Sequence, residues 1–411
     1  MTKRKLIRLM VLTIAILTIL AFSACNKIFT IKEAQGVTWS FDEATGTLTI
    51  SGKGNIKNDG SELWHDQRNN INSVIIKNGV TNIPATIFSY HTNLTNIEIP
   101  DSVTTIGPNA FMGCTGLTSI NIPDSVTTID PWTFVGCTGL TNIEIPNSVT
   151  TIYSGTFEGC TSLTNIEIPD SVTTIYSEAF ERCTSLTNIN IPDSVTTIGS
   201  GAFEGCTGLK YNEKGSVKYL GNNNNPYVVA IETDKNITSV ILAPTVKIIY
   251  SQAFSGCNSL ASINLPDSVT IIGSDAFEGC TSLTNINIPD SVTTIGSEAF
   301  EGCTGLTNIE IPDSVTTIEP WTFKGCTGLT NINIPDSVTS IEDKAFYGCS
   351  SLTSINIPDS VTSIDHFAFW DCNNLTDINF SGTKKQWKTI YTPGAFKYCT
   401  IHCTDGDITI E

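Results

Sequence analysis

Basic residues are scarce in this chain: 22 Lys and Arg stand against 40 Asp and Glu over 411 residues, a net charge of −18. Contact with phosphates needs a basic patch, so the deficit argues against nucleic acid and anionic membrane surfaces as direct partners. Histidine is scarcer still, with only His65, His91, His366 and His402. None of them stands in a paired metal motif such as H-E-x-x-H, and no Walker loop, dinucleotide fingerprint or G-x-S-x-G occurs. A catalytic centre needs unlike groups converging in a pocket, and the Ser, Thr and Asp residues here recur as copies of one another. The chain is therefore read as a non-enzyme without cofactor or resident metal. Aromatic residues make up only 8%, as expected where Ile, Leu and Val fill a narrow interior.

What the chain has in abundance is one 23-residue pattern, IPDSVTTIGxxAFxGCTxLTxIx. Leu117, Leu140, Leu163, Leu186 and Leu209 stand 23 residues apart, and after a gap of 28 the step resumes at Ile237 and runs to Leu375. Self-similarity at such a period marks a solenoid, with one coil per repeat. In Leu117–Ile122 the apolar residues 120 and 122 alternate with polar 119 and 121, which reads as a strand facing inward through Ile120 and Ile122. Pro123 closes it, Asp124-Ser125 turns the chain, and Val126–Ile129 is β-branched enough for a second short strand. The stretch through Trp132, Phe134 and Cys137 is expected to be a short helical or 3-10 turn, with Gly136 bending back into the next coil. A lone coil cannot bury enough to offset its conformational entropy, but stacked coils complete each other's hydrogen bonds and cover each other's core.

The expected architecture is a β-rich repeat solenoid of about 14 coils, counted from Ile71 to the coil at Leu375, with a parallel concave sheet. Residues 25–70 are a linker and an N-terminal β cap, built on the alternating segments Val37–Phe41 and Thr47–Ser51. Residues 71–208 are repeats, 209–236 an irregular inserted coil with an Asn-rich loop, 237–403 repeats ending in an irregular coil, and 404–411 a C-terminal tail. The insertion reads either as a structural joint or as a functional knob.

Eleven of the 14 cysteines, Cys114 to Cys206 and Cys257 to Cys372, occupy one repeat position beside the buried Phe. They are expected to pack as small apolar thiols, with disulfides between neighbouring coils as the alternative. Cys399 and Cys403 are the pair more open to reaction. The outward strand positions form polar columns, Asn96, Ser119, Asn142 and Asn165 in one and Glu98, Asn121, Glu144 and Glu167 in the next. They read as a solvated sheet or as a face for proteins or glycans. Variation concentrates just after the second strand, where GPNAFM, DPWTFV, YSGTFE, YSEAFE, EPWTFK and DHFAFW succeed one another. Exposed Trp and Tyr are frequent interface anchors, so Trp132, Tyr153, Tyr176 and Trp321 are the candidate binding ridge.

The first 25 residues resemble a bacterial lipoprotein signal. Lys3, Arg4, Lys5 and Arg8 precede the apolar run Leu9–Ala21, which at 13 residues is short for a membrane-spanning helix. Phe22-Ser23-Ala24 then leads to Cys25, the residue that would carry the lipid, with residues 1–24 removed. Phe22 departs from the usual Leu, Val or Ile, and ordinary cleavage or an uncleaved anchor is the alternative. The remaining chain would hold 40 acidic and 18 basic residues.

The repeat itself closely resembles the BspA-like leucine-rich repeats, also found in treponemal leucine-rich-repeat proteins, over nearly everything from Ile71 to Cys403. GTLTISGKG near the start and HCTDG at the end resemble the ends of such proteins. The resemblance implies an exported bacterial protein, lipid-anchored at the cell envelope and surface-exposed. Its expected partners are host extracellular matrix proteins, other cell-surface proteins or glycans. A structural scaffold inside the envelope is the alternative function.

Overall fold

The computed structural model describes residues 28–32, 36–57, 65–390, 396 and 398–410. Residues 1–24 and Cys25, and with them the lipoprotein signal, lie outside the described residues. No described helix is long and apolar enough to cross a membrane. The chain divides into two compact units, Met1–Asn188 with Ala202–Leu209 and Ile189–Gly201 with Lys210–Glu411.

In the first unit an antiparallel β-meander leads into the coils. Ile28–Lys32 pairs with Val37–Asp42, which pairs with Thr47–Gly52 so that Trp39 faces Ile50 and Phe41 faces Leu48. Alternation buries Val37, Trp39, Phe41, Leu48 and Ile50 on one side. Thr47–Gly52 then runs parallel to Ser73–Ile76, and Ser73–Ile76 to Asn96–Glu98. From there every coil repeats the register 23 residues on: Ile120 lies beside Ile143, and Ile106 beside Ile129. Each coil buries Leu, Ile, Val, Phe and Cys side chains; in the coil from Leu117 these are Leu117, Ile120, Ile122, Val126, Ile129, Phe134 and Cys137.

Two columns of polar side chains and one of stacked rings tie coil to coil. The Ser125 hydroxyl reaches back to Val103 O at 2.6 Å, and Ser148 and Ser171 repeat the bond one and two coils on. The serine of the Asp-Ser turn therefore bonds the preceding coil. The Cys137 thiol donates to Phe111 O at 3.1 Å, and ten cysteines share this geometry at 3.0–3.3 Å. These cysteines are free, and burial pushes the thiols of Cys114, Cys160, Cys280 and Cys326 up to about 12. They thus act as uncharged hydrogen-bond donors as well as apolar filler. Beside them the phenylalanines stack face to face, Phe111 on Phe134 at 5.5 Å and Phe134 on Phe157 at 5.7 Å.

The third side of the coil is not the short helical turn expected from its length. Trp132, Phe134 and Gly136 donate their N–H groups to Ser154, Thr156 and Glu158 of the following coil, while Val135 and Cys137 bond back three residues. Alternate donors are thus spent between coils, and Trp132 (φ +58°) and Gly136 (φ +67°) are left-handed. Both features forbid a continuous helix. Among the described residues the helices are the 3-10 turn His65–Asn70 and the α-helix Lys384–Ile390.

In the second unit the inserted coil is a β-meander: Asn212–Lys214 pairs antiparallel with Val217–Leu220, which pairs antiparallel with Val229–Thr233. Val229–Thr233 then rejoins the parallel register beside Ile248–Ile249. The Asn run makes a tied turn, in which Asn222 Oδ1 accepts the N–H groups of Asn224 and Asn225 at 2.9 and 2.7 Å. At the C-terminal end the helix Lys384–Ile390 buries Trp387 and Ile390 over the last core face. Its insertion explains why Phe396 and Cys399 arrive late in the repeat. The strand Cys399–Cys403 follows, parallel to Asp377–Phe380, and Gly406–Ile410 folds back antiparallel on it. Four strand steps separate Cys399 from Cys403, roughly 13 Å, too far for a disulfide between them.

His402 links these last strands. Its Nε2 faces Asp377 Oδ1 and its Nδ1 faces Asp407 Oδ1, each at 3.0 Å. Only the doubly protonated ring satisfies both. Asp377 and then Asp407 raise the His402 pKa above 6.5, while Thr376 and then His402 hold Asp377 below 3.8. The histidine's contribution is full below pH 6.5 and is lost as pH rises through its raised value. That of Asp377 is lost as pH falls through its lowered value. The C-terminal pairing is therefore tightest at about pH 4 to 6.5. Amide hydrogen exchange over 399–410, corrected for intrinsic rates, should be slower at about pH 5.5 than at about pH 8. His402→Gln should erase that difference; its persistence would mean that the triad does not set it.

Candidate functional site

The segment after each second strand combines a fixed backbone with free side chains. Inter-coil hydrogen bonds hold the main chain, so outward side chains there can change without breaking the bonds between coils. One left-handed column runs through Thr86, Asn109, Trp132, Gly155 and Glu178, and through Gly201, Gln252, Asp275, Glu298, Trp321 and Lys344 in the second unit. A second column runs through Tyr90, Gly113, Gly136, Gly159, Arg182 and Gly205. A left-handed residue other than glycine costs about 1–2 kcal/mol, and a bulky one there is a genuine outlier.

Trp132 is such an outlier. Its N–H bonds Ser154 O at 2.9 Å, and the buried Thr133 beside it donates to Asp130 O at 2.6 Å. Burial also raises the Asp130 carboxyl. The indole lies across Gly155 of the next coil, where a Cβ would come within 2.2 Å of Trp132 Cδ1. It nevertheless stays 43% exposed. Two residues before Gly155, Tyr153 stacks on Tyr176 at 5.6 Å and 3°, and Tyr176 is 45% exposed. Trp132, Tyr153 and Tyr176 thus stand on three successive coils of the first unit. Trp321 belongs to the second unit, where its Nε1 donates to Asp343 Oδ2 at 3.3 Å. The ammonium groups of Lys324 and Lys344 lie 4.4 and 5.1 Å from its ring.

Sequence reasoning missed Tyr90. It is 49% exposed and left-handed (φ +58°), and its ring covers Gly113 as Trp132 covers Gly155. The signal was present: a tyrosine stands where the next coils have glycine. The polar strand columns are solvent-facing, and neighbouring amides meet at Asn379 and Asn356, 2.9 Å apart. No group of three His, Cys, Asp or Glu that could hold a metal occurs among the described residues. An open depression of about 280 Å³ beside the inserted meander is lined by Glu213, Lys218, Glu232 and Asp234 among others, with no histidine or cysteine.

The BspA type leucine rich repeat region matches this chain over residues 13–116, 81–210, 230–319 and 293–406, in six copies. The chain belongs to that family. The parallel solenoid with almost no helix is the fold of these BspA-type repeats, now seen coil by coil. A leucine rich cell surface protein from Faecalibacterium prausnitzii is 32% identical, with 89% of this chain and 98% of that one covered and a TM-score of 0.39. A leucine-rich repeat protein from Eubacterium ventriosum is 25% identical over 93% and 100% of the two chains, TM-score 0.43. One from Bacteroides ovatus is 22% identical over 92% and 98%, TM-score 0.38. No curated protein matches.

The left-handed columns make a clean stability test within this BspA-type chain. A Cβ at Gly136 would meet nothing nearer than 3.9 Å, so Gly136→Ala is penalised by conformation alone. It should cost about 1–2 kcal/mol in urea denaturation. Glu178→Gly, at an exposed φ of +62°, should be neutral or gain up to about 1 kcal/mol. The opposite order would show that the column is not left-handed in solution.

Proposed function

We propose that this chain is a non-catalytic, lipid-anchored cell-surface protein of adhesin-like function. It contacts host matrix proteins or other cells through the ridge of Trp132, Tyr153 and Tyr176. The observation that carries this reading is Trp132: a large apolar side chain held at a left-handed position, open to solvent, where the neighbouring coils carry Asn109 and Gly155. Backbone strain of this kind gathers at functional sites, and Trp and Tyr are the residues most enriched among binding hot spots. The F. prausnitzii relative, described as a cell surface protein, supports the location. Lipidation at Cys25 would supply the attachment.

Two measurements test the proposal together. Protease treatment of intact cells should digest the chain, with ruptured cells showing that it can be cut. Trp132→Ala/Tyr153→Ala/Tyr176→Ala should then lower adhesion to matrix proteins or partner cells at least tenfold while leaving the thermal melt nearly unchanged. Protection until rupture would remove the adhesin reading and point to a scaffold within the envelope. A large loss of stability would make the three aromatics part of the core packing.

A further inference from the structure

The turn side around Trp132 is aromatic and acidic at once. Between Lys77 and Lys210 the only Lys or Arg is Arg182, against twelve Asp and Glu. Five of those carboxylates, Asp130, Glu158, Glu178, Glu181 and Glu204, stand in the variable segments after the second strands, all in the first unit. Arg182 is spent on Glu181 at 3.3 Å. Among the described residues the other four have no Lys or Arg within ion-pair distance. The carboxylates are set among the rings. A Cβ on Gly155 would lie 2.5 Å from Trp132 Nε1 and 3.3 Å from Glu158 Oε2, so indole and carboxylate meet over one glycine. Asp130 comes two residues before Trp132 and one coil before Tyr153 in the same column, and the exposed Glu178 follows Tyr176 by two. Burial, then the charges of Glu181 and Glu178, raise the Glu158 carboxyl above its usual value, so the carboxylates feel one another across coils.

We infer that the ridge takes a basic segment of a protein partner, whose Lys or Arg side chains lie on the indole and phenol faces and between the flanking carboxylates. A cation over an aromatic face is attracted by the ring's quadrupole, most strongly over Trp. Carboxylates beside the ring add Coulomb attraction to the same cation. Both ingredients are open here, since Trp132 and Tyr176 are exposed and Glu178 and Glu204 are exposed with them. The same charges select among partners. An acidic glycan is repelled, and a neutral one leaves the carboxylates without a counter-ion, whereas a basic segment supplies it. The inference rests on the reading of Trp132, Tyr153 and Tyr176 as the protein-binding ridge and names the chemistry of what that ridge binds.

The purified full-length protein would be titrated with an octapeptide of alternating Arg and Ser, its Glu-Ser counterpart and a heparin hexasaccharide, followed by tryptophan fluorescence and calorimetry. The Arg-Ser peptide should bind at least tenfold more tightly than either acidic probe, and more weakly as NaCl rises from about 0.05 to about 0.5 M. Glu158→Gln/Glu178→Gln keeps side-chain shape and removes a repulsion, so it should melt no lower than wild type while losing at least fivefold in affinity. Trp132→Ala should lose as much. Glu98→Gln/Glu144→Gln removes the same charge from exposed strand positions of the first unit and should lose less than twofold. An equal loss in that control would overturn the site in favour of diffuse attraction to an acidic chain. No binding of the Arg-Ser peptide, or equal binding of heparin, would overturn the basic partner. The adhesion assay separates this inference from the ridge itself. Adhesion lost in Trp132→Ala/Tyr153→Ala/Tyr176→Ala but kept in Glu158→Gln/Glu178→Gln would leave the ridge standing and overturn the basic partner; adhesion kept in both would overturn the ridge and this inference with it.

Discussion

The hydrogen bond between one coil and the next is the constraint on which the rest of this protein depends. In the repeats each coil spends its outward N–H and C=O groups on its neighbours, in the sheet, at the second strand and again along the turn side. Because the partner is always one repeat away, the register is fixed by a 23-residue count rather than by any single contact. The side chains obey the same rule. Serine hydroxyls, cysteine thiols and phenylalanine rings each meet their counterpart on the adjacent coil. Stability is therefore a sum of nearest-neighbour terms, and only the first and last coils need other means of satisfying an open face. The N-terminal meander and the C-terminal helix with its returning strand supply them.

That arrangement also frees part of the surface. Where the main chain is bonded on both sides, outward side chains are under little structural pressure. The turn side accordingly carries Trp132 on one coil and Gly155 on the next, and Glu301 on one coil and Lys324 on the next. The left-handed backbone sharpens the contrast, since glycine would be the relaxed occupant and large residues persist there only against a cost. Two aromatic surfaces of different composition result, one in each unit. The first is rich in tyrosine, with the carboxylates of Asp130 and Glu158 near Trp132. The second is interleaved with lysine around Trp321.

The fold was readable because strand geometry and repeat length are both periodic. The alternation at Ile120 and Ile122, the β-branched run at Val126–Ile129 and the invariant Phe and Cys all lie where the sequence placed them in the core. The turn side was misread as short helix because six or seven residues of suitable composition do not reveal that alternate N–H groups are claimed by another coil. The helix Lys384–Ile390 was missed because it interrupts a repeat instead of following one. The thiol–carbonyl bonds were invisible for a similar reason, since a cysteine's neighbours across 26 residues appear only once the coils are stacked. At the candidate sites, variability pointed to Trp132, Tyr153, Tyr176 and Trp321, yet it could not show that Trp132 is left-handed or that two ammonium groups lie over the Trp321 ring. Those facts depend on side chains one coil away.

The most direct test of this account is to delete one whole coil. Removing residues 283–305 joins Ser282 to Leu306 and leaves every remaining coil with a neighbour in register. Circular dichroism and thermal melting should show a folded protein with the wild-type spectrum per residue and a transition only slightly lower. Removing residues 283–293, about half a coil, should abolish cooperative folding of the second unit. If the whole-coil deletion unfolds the protein as the half-coil deletion does, the coils are not interchangeable, and nearest-neighbour bonding does not hold this fold together.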